Sequence, residues 1–535
     1  MSLSCQYDVI VVGCGPVGVT AAHLLGHHGL STLVIERDSG PYDLPRAVHL
    51  DHEIMRIFQS AGLADMLLPQ LTMPAGAMHF GSDRGVIRQF QEIVTTDRLG
   101  WGSDYFFYQP DMERALQSAL RERSTVELLY GHQVTNIAQD DQEVTVFADH
   151  DGKQITAKAR YLLACDGGRS IVRKSVGIAL DDLGFDEPWI VVDAIVDSPV
   201  LMPDLIGVPE GVDMQQVMFI VGDPARPTSV IPGVGKHRRW EFMMLPGEAP
   251  DDFDDPAAIA ALIAPWLGDA PYELVRSAVY RFHALLAERW RSDRILLVGD
   301  AAHQTPPFFG QGLCHGIRDA ANLVWKLKLV LDRVATPALL DSYQIERLPQ
   351  VRSVIEASMR VGRYICTLDP EAAKQRDVEM RSVAMRTPPG YVDLIPSLVS
   401  GILSEIEGEP SPVGSRFIQP PVRDVVGQTK LLDDATGGGF VLLARSRDML
   451  LPPSNPTFEA SIKLRKFVVM NSDENLPNET DTNLMIDHSG ELAQWFDYYK
   501  CDGVILRPDA YVFGTFSNAD QANDLISSLR EKIIA

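Results

Sequence analysis

The first residues able to do chemistry form a glycine-rich turn. The segment Gly13-Cys-Gly15-Pro-Val-Gly18 follows the apolar run Tyr7–Val12, which is typical of a buried strand. Between a strand and a helix, this spacing favours a dinucleotide, because Gly13 permits a tight turn and Gly15 lets a pyrophosphate approach the backbone. Glu36 lies about 20 residues further on, where a carboxylate can bind a ribose diol. The pattern therefore predicts a dinucleotide at the N-terminus of the first helix.

Two further segments follow predicted buried strands. One runs Cys165-Asp166-Gly-Gly-Arg-Ser170, and the other runs Gly299-Asp300-Ala-Ala-His303 and leads into the loop Pro306–Leu313. A carboxylate at a strand end suits sugar hydroxyls, although Asp300 could also serve as a helix cap. A glycine loop at a helix N-terminus can stabilise negative charge on a bound ring.

In their order and spacing, these three segments resemble the fingerprints of the group A flavoprotein aromatic hydroxylases. The resemblance implies FAD, with Asp300 on the ribityl chain and the loop 306–313 beside the isoalloxazine ring. It also places the Pro45-Arg46-Ala47 segment and Gln109 near the flavin cofactor. The predicted cofactor-binding residues are Gly13, Gly15, Pro16, Val17, Gly18, Glu36, Arg37, Arg46, Gln109, Asp166, Asp300, Pro307, Gly310, Gly312 and Leu313.

Within that family, several segments look like the 3-(3-hydroxyphenyl)propionate hydroxylases. Examples are Trp189–Asp193 and the run Arg239–Glu248, and the similarity extends over about residues 7–350. The pair Phe308-Phe309 and the run Leu313-Cys314-His315 differ from what this subgroup leads us to expect. Because the resemblance places these positions near the flavin and the substrate, the identity of the aromatic substrate stays open.

The resemblance implies a reaction in two halves. NADH or NADPH reduces FAD, and O2 then gives a flavin C4a-hydroperoxide that hydroxylates a phenolic ring. The chain has no second nucleotide fingerprint, in keeping with a family in which NAD(P)H docks transiently. The expected role is in aromatic catabolism, and the resemblance also implies a homodimer.

The residues that act on the substrate are less clearly marked. A phenol needs a base or a hydrogen-bond acceptor, and the candidates are His49 and Asp51 after the arginine segment, His303 and His315. Of these, we predict His315, which follows the flavin loop, and His49. Arg239, Tyr280 and Phe308 are predicted to face the substrate. Each also has a plain alternative, as an ordinary side chain of a helix or a sheet.

Composition excludes several classes of partner. The 535 residues carry 48 Lys and Arg against 72 Asp and Glu, a net charge of −24, which disfavours nucleic acid and acidic lipid. Six scattered cysteines without CxxC or zinc spacing predict no metal and a cytoplasmic protein with reduced thiols. No apolar run approaches the roughly 18 residues that would predict a membrane span.

These residues require an α/β (α+β) fold to position them. We predict a Rossmann-like FAD-binding domain in two parts, 1–184 and 291–410, the second part including a helical segment. An inserted mixed or antiparallel substrate-binding sheet covers 185–290, where strand-like runs alternate with Pro, Gly and Asp turns. After a polar linker, residues 427–535 resemble the thioredoxin-like tail of phenol-hydroxylase relatives. That tail lacks CxxC, so packing or dimer contact is its expected role.

Two other functions share this fold. One is another FAD oxidoreductase, a halogenase or a dehydrogenase, but the WxWxIP segment of flavin halogenases is absent from the sequence. The other is a non-catalytic carrier that has lost its flavin residues. The presence of Asp300, Gly310 and Gly312 argues against the carrier.

Overall fold

The structure is a computed structural model that describes residues 2–90, 98–386, 394–405, 410–424, 426–450, 455–471 and 483–534. The elements of the first part of the chain are β1 (Ser2–Val12), α1 (Pro16–His27), β2 (Thr32–Ile35), β3 (His49–Asp51), α2 (His52–Ser60), α3 (Ala64–Leu67), β4 (Gly76–Phe80), β5 (Val86–Phe90), β6 (Asp104–Phe106), α4 (Gln109–Leu120), β7 (Val126–Leu129), β8 (Gln133–Gln139), β9 (Val144–His150), β10 (Lys153–Ala164) and α5 (Ile171–Ser175).

Eight strands and four helices follow in the middle of the described chain. They are β11 (Leu180–Val196), β12 (Val217–Val221), β13 (Thr228–Ile231), β14 (His237–Met243), α6 (Pro256–Leu267), β15 (Tyr272–Ala287), β16 (Arg291–Ser292), β17 (Ile295–Leu297), β18 (His303–Gln304), α7 (Gln311–Leu331), α8 (Ser342–Ile365) and α9 (Pro370–Arg386).

The last part of the chain forms a smaller α/β unit. Its elements are β19 (Pro421–Arg423), β20 (Thr429–Leu431), α10 (Leu432–Thr436), β21 (Val441–Ala444), α11 (Pro456–Ser461), β22 (Arg465–Asn471), β23 (Leu484–Asp487), α12 (Glu491–Tyr499), β24 (Gly503–Leu506), β25 (Val512–Phe516) and α13 (Ala519–Ile534).

The first sheet has the Rossmann-like arrangement predicted from the sequence. Its main path runs β16-β17-β10-β1-β2-β7, and β17, β10, β1, β2 and β7 are parallel. The central strands are apolar on both faces because helices cover them, and the residues from Val9 to Val12 are all buried. The glycine turn and Asp300 therefore meet at the carboxyl edge of one sheet.

The second sheet covers this edge. Its order is β18-β15-β11-β14-β13-β12-β4-β5, and it is antiparallel except between β12 and β4. The sequence assigned residues 76–90 to the first part of the FAD-binding domain, but here β4 and β5 extend the second sheet. This pairing is non-local, so the hydrophobic pattern of residues 76–90 alone could not have revealed it.

The third sheet belongs to the C-terminal unit, with the order β20-β19-β23-β22-β21-β24-β25. Strands β21, β22 and β23 are parallel and β24 and β25 run antiparallel, which gives the thioredoxin-like topology. The predicted linker before residue 427 is partly inside this unit, because Phe417 and Val422 are fully buried in its core. The sequence at 471–483 is polar and predicts a loop, but this segment lies almost entirely outside the described residues.

A buried ion cluster joins the C-terminal unit to the FAD-binding part. Glu346 on α8 accepts hydrogen bonds from Lys326 Nζ at 2.7 Å and Arg507 Nη2 at 2.7 Å, and all three side chains are fully buried. Burial alone would raise the pKa of Glu346, but the two cations lower it to about 2. Each charge in this cluster depends on its partners, because an unpaired buried charge is costly.

Glu346→Ala should therefore destabilise the protein by about 3–5 kcal/mol, since it leaves Lys326 buried without a carboxylate partner and Arg507 paired with Asp509 alone. Denaturant unfolding measures this difference. The matched control is Asp332→Ala, which removes the partner of Lys328 on the exposed end of α7 and should change stability by less than about 1 kcal/mol. Equal effects of the two variants would contradict the assignment.

Candidate active site

A cavity of about 1030 Å³ lies between the first and second sheets. It extends from the glycine turn, past the end of β2 and the Arg46 segment, to the N-terminus of α7 and the inner face of the second sheet. The cavity is long and has one polar end and one apolar, aromatic end. Its shape matches an extended cofactor with a second molecule at the apolar end.

The glycine turn has the geometry that its sequence predicted. Gly13 has a φ of +95°, and a Cβ there would lie 2.5 Å from the carbonyl oxygen of Cys165. A Cβ on Gly18 would lie 2.0 Å from the carbonyl oxygen of Gly13, so helix α1 packs directly on the turn. A Cβ on Gly15, by contrast, would meet no atom within 4 Å. Gly15 therefore leaves its backbone open to the cavity, beside Pro16 at the start of α1.

The carboxylate of Glu36 is fixed at the end of β2. Its Oε2 accepts a hydrogen bond from the backbone N–H of Cys14 at 2.6 Å, and its Oε1 accepts one from that of Asp38 at 2.9 Å. Glu36 and Arg37 both line the cavity, and the Arg37 side chain is largely exposed. The carboxylate is thus held where a ribose diol can reach it.

Side chains from two domains hold the Arg46 segment. Gln109 Oε1 accepts hydrogen bonds from the backbone N–H groups of Arg46 at 3.2 Å and Ala47 at 2.7 Å. From the second sheet, Arg239 donates to the carbonyl oxygen of Arg46, and Arg276 donates to that of Pro45. The Arg46 guanidinium is left exposed toward the cavity over the Tyr42 ring. Gln109 lines the cavity too, but its amide groups are used to position this segment.

The two carboxylates that the sequence predicts at strand ends, Asp300 and Asp166, differ in how open they are to a ligand. Asp300 faces the cavity without a hydrogen bond to the described residues, and burial by the surrounding protein raises its pKa. Asp166 also lines the cavity, but its Oδ2 accepts a hydrogen bond from the Val172 N–H at 3.1 Å. Asp300 is therefore open to a ligand, whereas Asp166 helps to fix the start of α5.

The loop before α7 presents backbone to the cavity. Gly310 has a φ of +63°, a conformation that favours glycine, and no side chain caps the helix that follows. A Cβ on Gly312 would meet nothing within 4 Å, and Pro307, Gly312 and Leu313 line the cavity. The N-terminus of α7, a helix of 21 residues, thus faces the cavity with its first N–H groups.

His49 lies beside this loop, paired with a residue that the sequence reasoning missed. His49 Nε2 is 2.7 Å from Asp104 Oδ1, and both residues line the cavity. Burial opposes a charge on His49, but the hydrogen bonds and charges of Asp104 and Cys314 together outweigh burial and raise the pKa of His49 well above its usual value. The other ring nitrogen of His49 is buried, so the polar group of this pair that faces the cavity is the carboxylate of Asp104.

The structure does not support His315 as a residue that acts on the substrate. His315 is fully buried within α7, does not line the cavity, and is 3.2 Å from Arg347 Nη2 through its Nδ1. Burial and the nearby Arg347 lower the pKa of His315 well below its usual value. It follows the flavin loop in sequence, but the helix turns it into the core.

The three predicted substrate residues all line the cavity. Arg239 is almost fully engaged, because its Nε and Nη2 donate to both carboxylate oxygens of Asp193, at 2.7 and 3.0 Å. Phe308 packs with Phe185, Trp189 and Phe282, their ring centroids being 5.8–6.0 Å from its own. The hydroxyl of Tyr280 has no hydrogen-bond partner among the described residues.

The rest of the apolar end comes from the second sheet and was not predicted. The side chains concerned alternate along β4, β12, β13 and β14, as expected for one face of a sheet. They are Ala77, His79, Met218, Ile220, Ser229, Ile231 and Glu241. Their strands could be recognised from the sequence in part, but a period of two does not say which face is covered. Burial raises the pKa of Glu241, although Arg239 opposes that shift.

Comparison with known proteins agrees with this geometry. A family model described as FAD binding domain matches residues 6–358, and one described as HcaD C-terminal domain matches residues 414–532. A Rhodococcus jostii (strain RHA1) protein named "Probable NADH-specific resorcinol 4-hydroxylase" is 35% identical over 529 residues, which cover 98% of this chain and 94% of that protein.

Two more relatives extend the comparison. An Escherichia coli (strain SMS-3-5 / SECEC) protein named "3-(3-hydroxy-phenyl)propionate/3-hydroxycinnamic acid hydroxylase" is 34% identical over 530 residues, 95% of this chain and 91% of that protein. The crystal structure of the flavin-dependent monooxygenase PieE in complex with FAD and substrate has a TM-score of 0.81 at 21% identity, covering 99% of both chains. At that identity the structural likeness establishes the fold.

The fold and the cavity thus define a dinucleotide-binding flavoprotein. The chain belongs to the FAD-binding-domain family, and with it to the FAD-dependent aromatic hydroxylases. The residues present fit FAD, because Gly15 and Gly312 leave open backbone at the two ends of the site and Asp300 supplies a free carboxylate between them. Among the described residues, no group of His, Cys, Asp and Glu could hold a metal ion, and none of the described helices has the length and apolar character to cross a membrane.

Asp300→Ala should weaken FAD binding by about tenfold or more, since the carboxylate faces the cavity and can accept hydrogen bonds from ribityl hydroxyls. Titration of the apoprotein with FAD, followed by flavin fluorescence, measures the dissociation constant. Asp332→Ala, at the far end of α7, is the control. An Asp300→Ala protein that binds FAD as tightly as the wild type would show that this carboxylate has another role.

Proposed function

We propose that this protein hydroxylates a phenolic ring with NAD(P)H and O2, taking one oxygen atom into the product and one into water. The observation that carries the proposal is the single cavity that joins the FAD site to an apolar, aromatic end. FAD, when bound, accepts the hydride of NAD(P)H and delivers an oxygen atom to the ring. The protein must then bind the ring beside the flavin, exclude water and remove the phenol proton.

The apolar end is suited to the first two tasks. Phe308, Phe282, Met218 and Ile220 line it, and Phe308 is fixed by edge-to-face contacts. Such walls bury an aromatic ring and keep the reacting oxygen away from water. The loop that contains Phe308 also contains Pro307 and Gly310, so the Phe308 ring and the backbone that faces the flavin belong to one segment.

We propose Asp104 as the proton acceptor and His49 as the residue that positions it. Asp104 Oδ1 is held by His49, while its Oδ2 makes no hydrogen bond to the described residues and its side chain is 35% exposed at the cavity. The raised pKa of His49 favours the protonated imidazole, which holds Asp104 Oδ1 through a charged hydrogen bond. A phenol that loses its proton to Asp104 gains electron density at its ortho and para carbons, where hydroxylation occurs.

The surroundings of Arg239 favour an uncharged ring. Arg239 is already paired with Asp193, and the carboxylate of Glu241 lies beside it, with 4.0 Å between Arg239 Nη1 and Glu241 Oε1. A substrate carboxylate placed there would meet the carboxyl group of Glu241 and a guanidinium that is already paired. We therefore propose that the enzyme prefers a neutral phenol such as resorcinol over 3-(3-hydroxyphenyl)propionate, and NADH over NADPH. Both preferences agree with the name of the Rhodococcus relative.

Other parts of the proposal follow from the resemblance and the sequence. We propose the four-segment division given above, with β4 and β5 added to the substrate sheet. We also propose a homodimer, and a cytoplasmic location where NADH is available and the cysteines stay reduced.

NADH oxidation by the FAD-loaded enzyme should rise at least tenfold with resorcinol and less with 3-(3-hydroxyphenyl)propionate, and the product should be heavier by one oxygen atom. Oxygen uptake and mass spectrometry measure both quantities, with benzoate as a ring that lacks the phenol. Hydroxylation of the propionate alone would overturn the neutral-ring choice. No hydroxylated product from any phenol tested would overturn the proposed function.

Asp104→Asn should lower the rate of product formation by about 100-fold, the usual contribution of a general base, and leave the dissociation constant for FAD within about twofold. NADH oxidation should continue, with the oxygen released as hydrogen peroxide. His315→Gln serves as the comparison in α7 and should retain coupled hydroxylation if it folds. Wild-type hydroxylation by Asp104→Asn would rule out the proposed acceptor.

A further inference from the structure

The start of α7 is anchored through side chains that reach toward the C-terminal unit. Gln311, the first residue of α7, donates from Nε2 to Asp51 Oδ2 at 3.1 Å, and its Oε1 accepts a hydrogen bond from Arg318 Nη1 at 2.9 Å. No side chain caps this helix, because Gly310 occupies the cap position. The orientation of the turn that faces the flavin site thus depends on Gln311 and its two partners.

Arg318 connects the start of α7 to α2. Its Nε donates to Glu53 Oε2 at 2.6 Å and its Nη2 to Asp51 Oδ2, and the three side chains are nearly fully buried. Asp51 also caps α2 by accepting from the backbone N–H of Glu53. Two helix N-termini, of α2 and α7, are therefore tied together by one guanidinium and two carboxylates.

The C-terminal unit and the segment that enters it complete the cluster. Tyr511, just before β25, donates from its hydroxyl to Glu53 Oε1 at 2.9 Å, and Arg416 Nη1 donates to Glu53 Oε2 at 3.0 Å. With Arg416 the cluster contains two carboxylates and two guanidinium groups, so its buried charges cancel. Arg416 and Arg318 also line the cavity. The unit that lacks redox cysteines thus contacts the wall of the cofactor site.

We propose that Tyr511 is a positioning residue for the flavin: it holds Glu53, and through Arg318 and Gln311 it fixes the N-terminal turn of α7 against the cofactor. The C-terminal unit then contributes to cofactor affinity and to coupling, and not only to packing. The inference rests on the proposed function for coupling but not for FAD binding. A loosened turn would let the flavin shift relative to the ring, and oxygen would leave as hydrogen peroxide.

The test uses the full-length protein with Tyr511→Phe, which keeps the ring and removes the hydroxyl. The dissociation constant for FAD should rise about three- to tenfold, the effect of losing one buried hydrogen bond. The stabilisation that FAD adds to the melting temperature should shrink, and the fraction of NADH oxidation that yields hydroxylated product should fall. The control is Tyr498→Phe on α12, whose side chain is 64% exposed.

Glu53→Gln is the second variant, because it removes the charge that Arg318 and Arg416 share while keeping the size of the side chain. It should weaken FAD binding more than Tyr511→Phe does. A purely structural role would lower the melting temperatures of apoprotein and FAD-loaded protein equally. FAD affinity, flavin spectrum and coupling would then match those of Tyr498→Phe, and that result would overturn the proposal. If the wild type hydroxylates no phenol, FAD affinity and the flavin spectrum still decide it.

Discussion

The pairing of Arg318 with Asp51 and Glu53 is the interaction on which the cofactor site depends. A helix that must offer its N-terminal N–H groups to a ligand cannot satisfy them with its own capping side chain. α7 therefore begins after Gly310 without a side-chain cap, and its position is set instead by Gln311, its first residue, and by Arg318, two turns into the helix. Because this cluster is buried and neutral, moving any member leaves a charge without a partner, and the arrangement is rigid.

The second constraint is that two sheets must enclose a cavity without filling it. Glycines contribute to this arrangement in two opposite ways. Gly13 and Gly18 are close to other backbone and bring strand, turn and helix together, whereas Gly15 and Gly312 have empty space where a side chain would be. The second sheet then covers the cavity, and Arg239 and Arg276 fasten it to the Arg46 segment through backbone carbonyls. The same contacts therefore shape both the cofactor site and the wall of the cavity at the substrate end.

What could be predicted from the sequence is what depends on local order. The strand, turn and helix around Gly13, the carboxylate at Asp300 and the loop before α7 follow from short segments, and the structure places them on one cavity. What could not be predicted depends on pairings between distant segments. Asp104 meets His49 because β3 pairs with β6 across some 50 residues, and β4 joins β12 across a still longer interval. His315 follows the flavin loop along the chain, but this spacing does not show which side of α7 the residue occupies, and its side chain lies in the core.

A crystal structure of the protein with FAD bound would show directly how the cavity holds the cofactor. We predict that FAD spans the cavity, with its pyrophosphate against Gly15, its ribityl hydroxyls on Asp300 and the pyrimidine edge of its ring at the backbone N–H groups of Gly312 and Leu313. Asp104 should face the open space above that ring, with Gln311 and Arg318 unmoved. A flavin ring bound away from the N-terminus of α7, or a cavity that takes NADH in place of FAD, would contradict it.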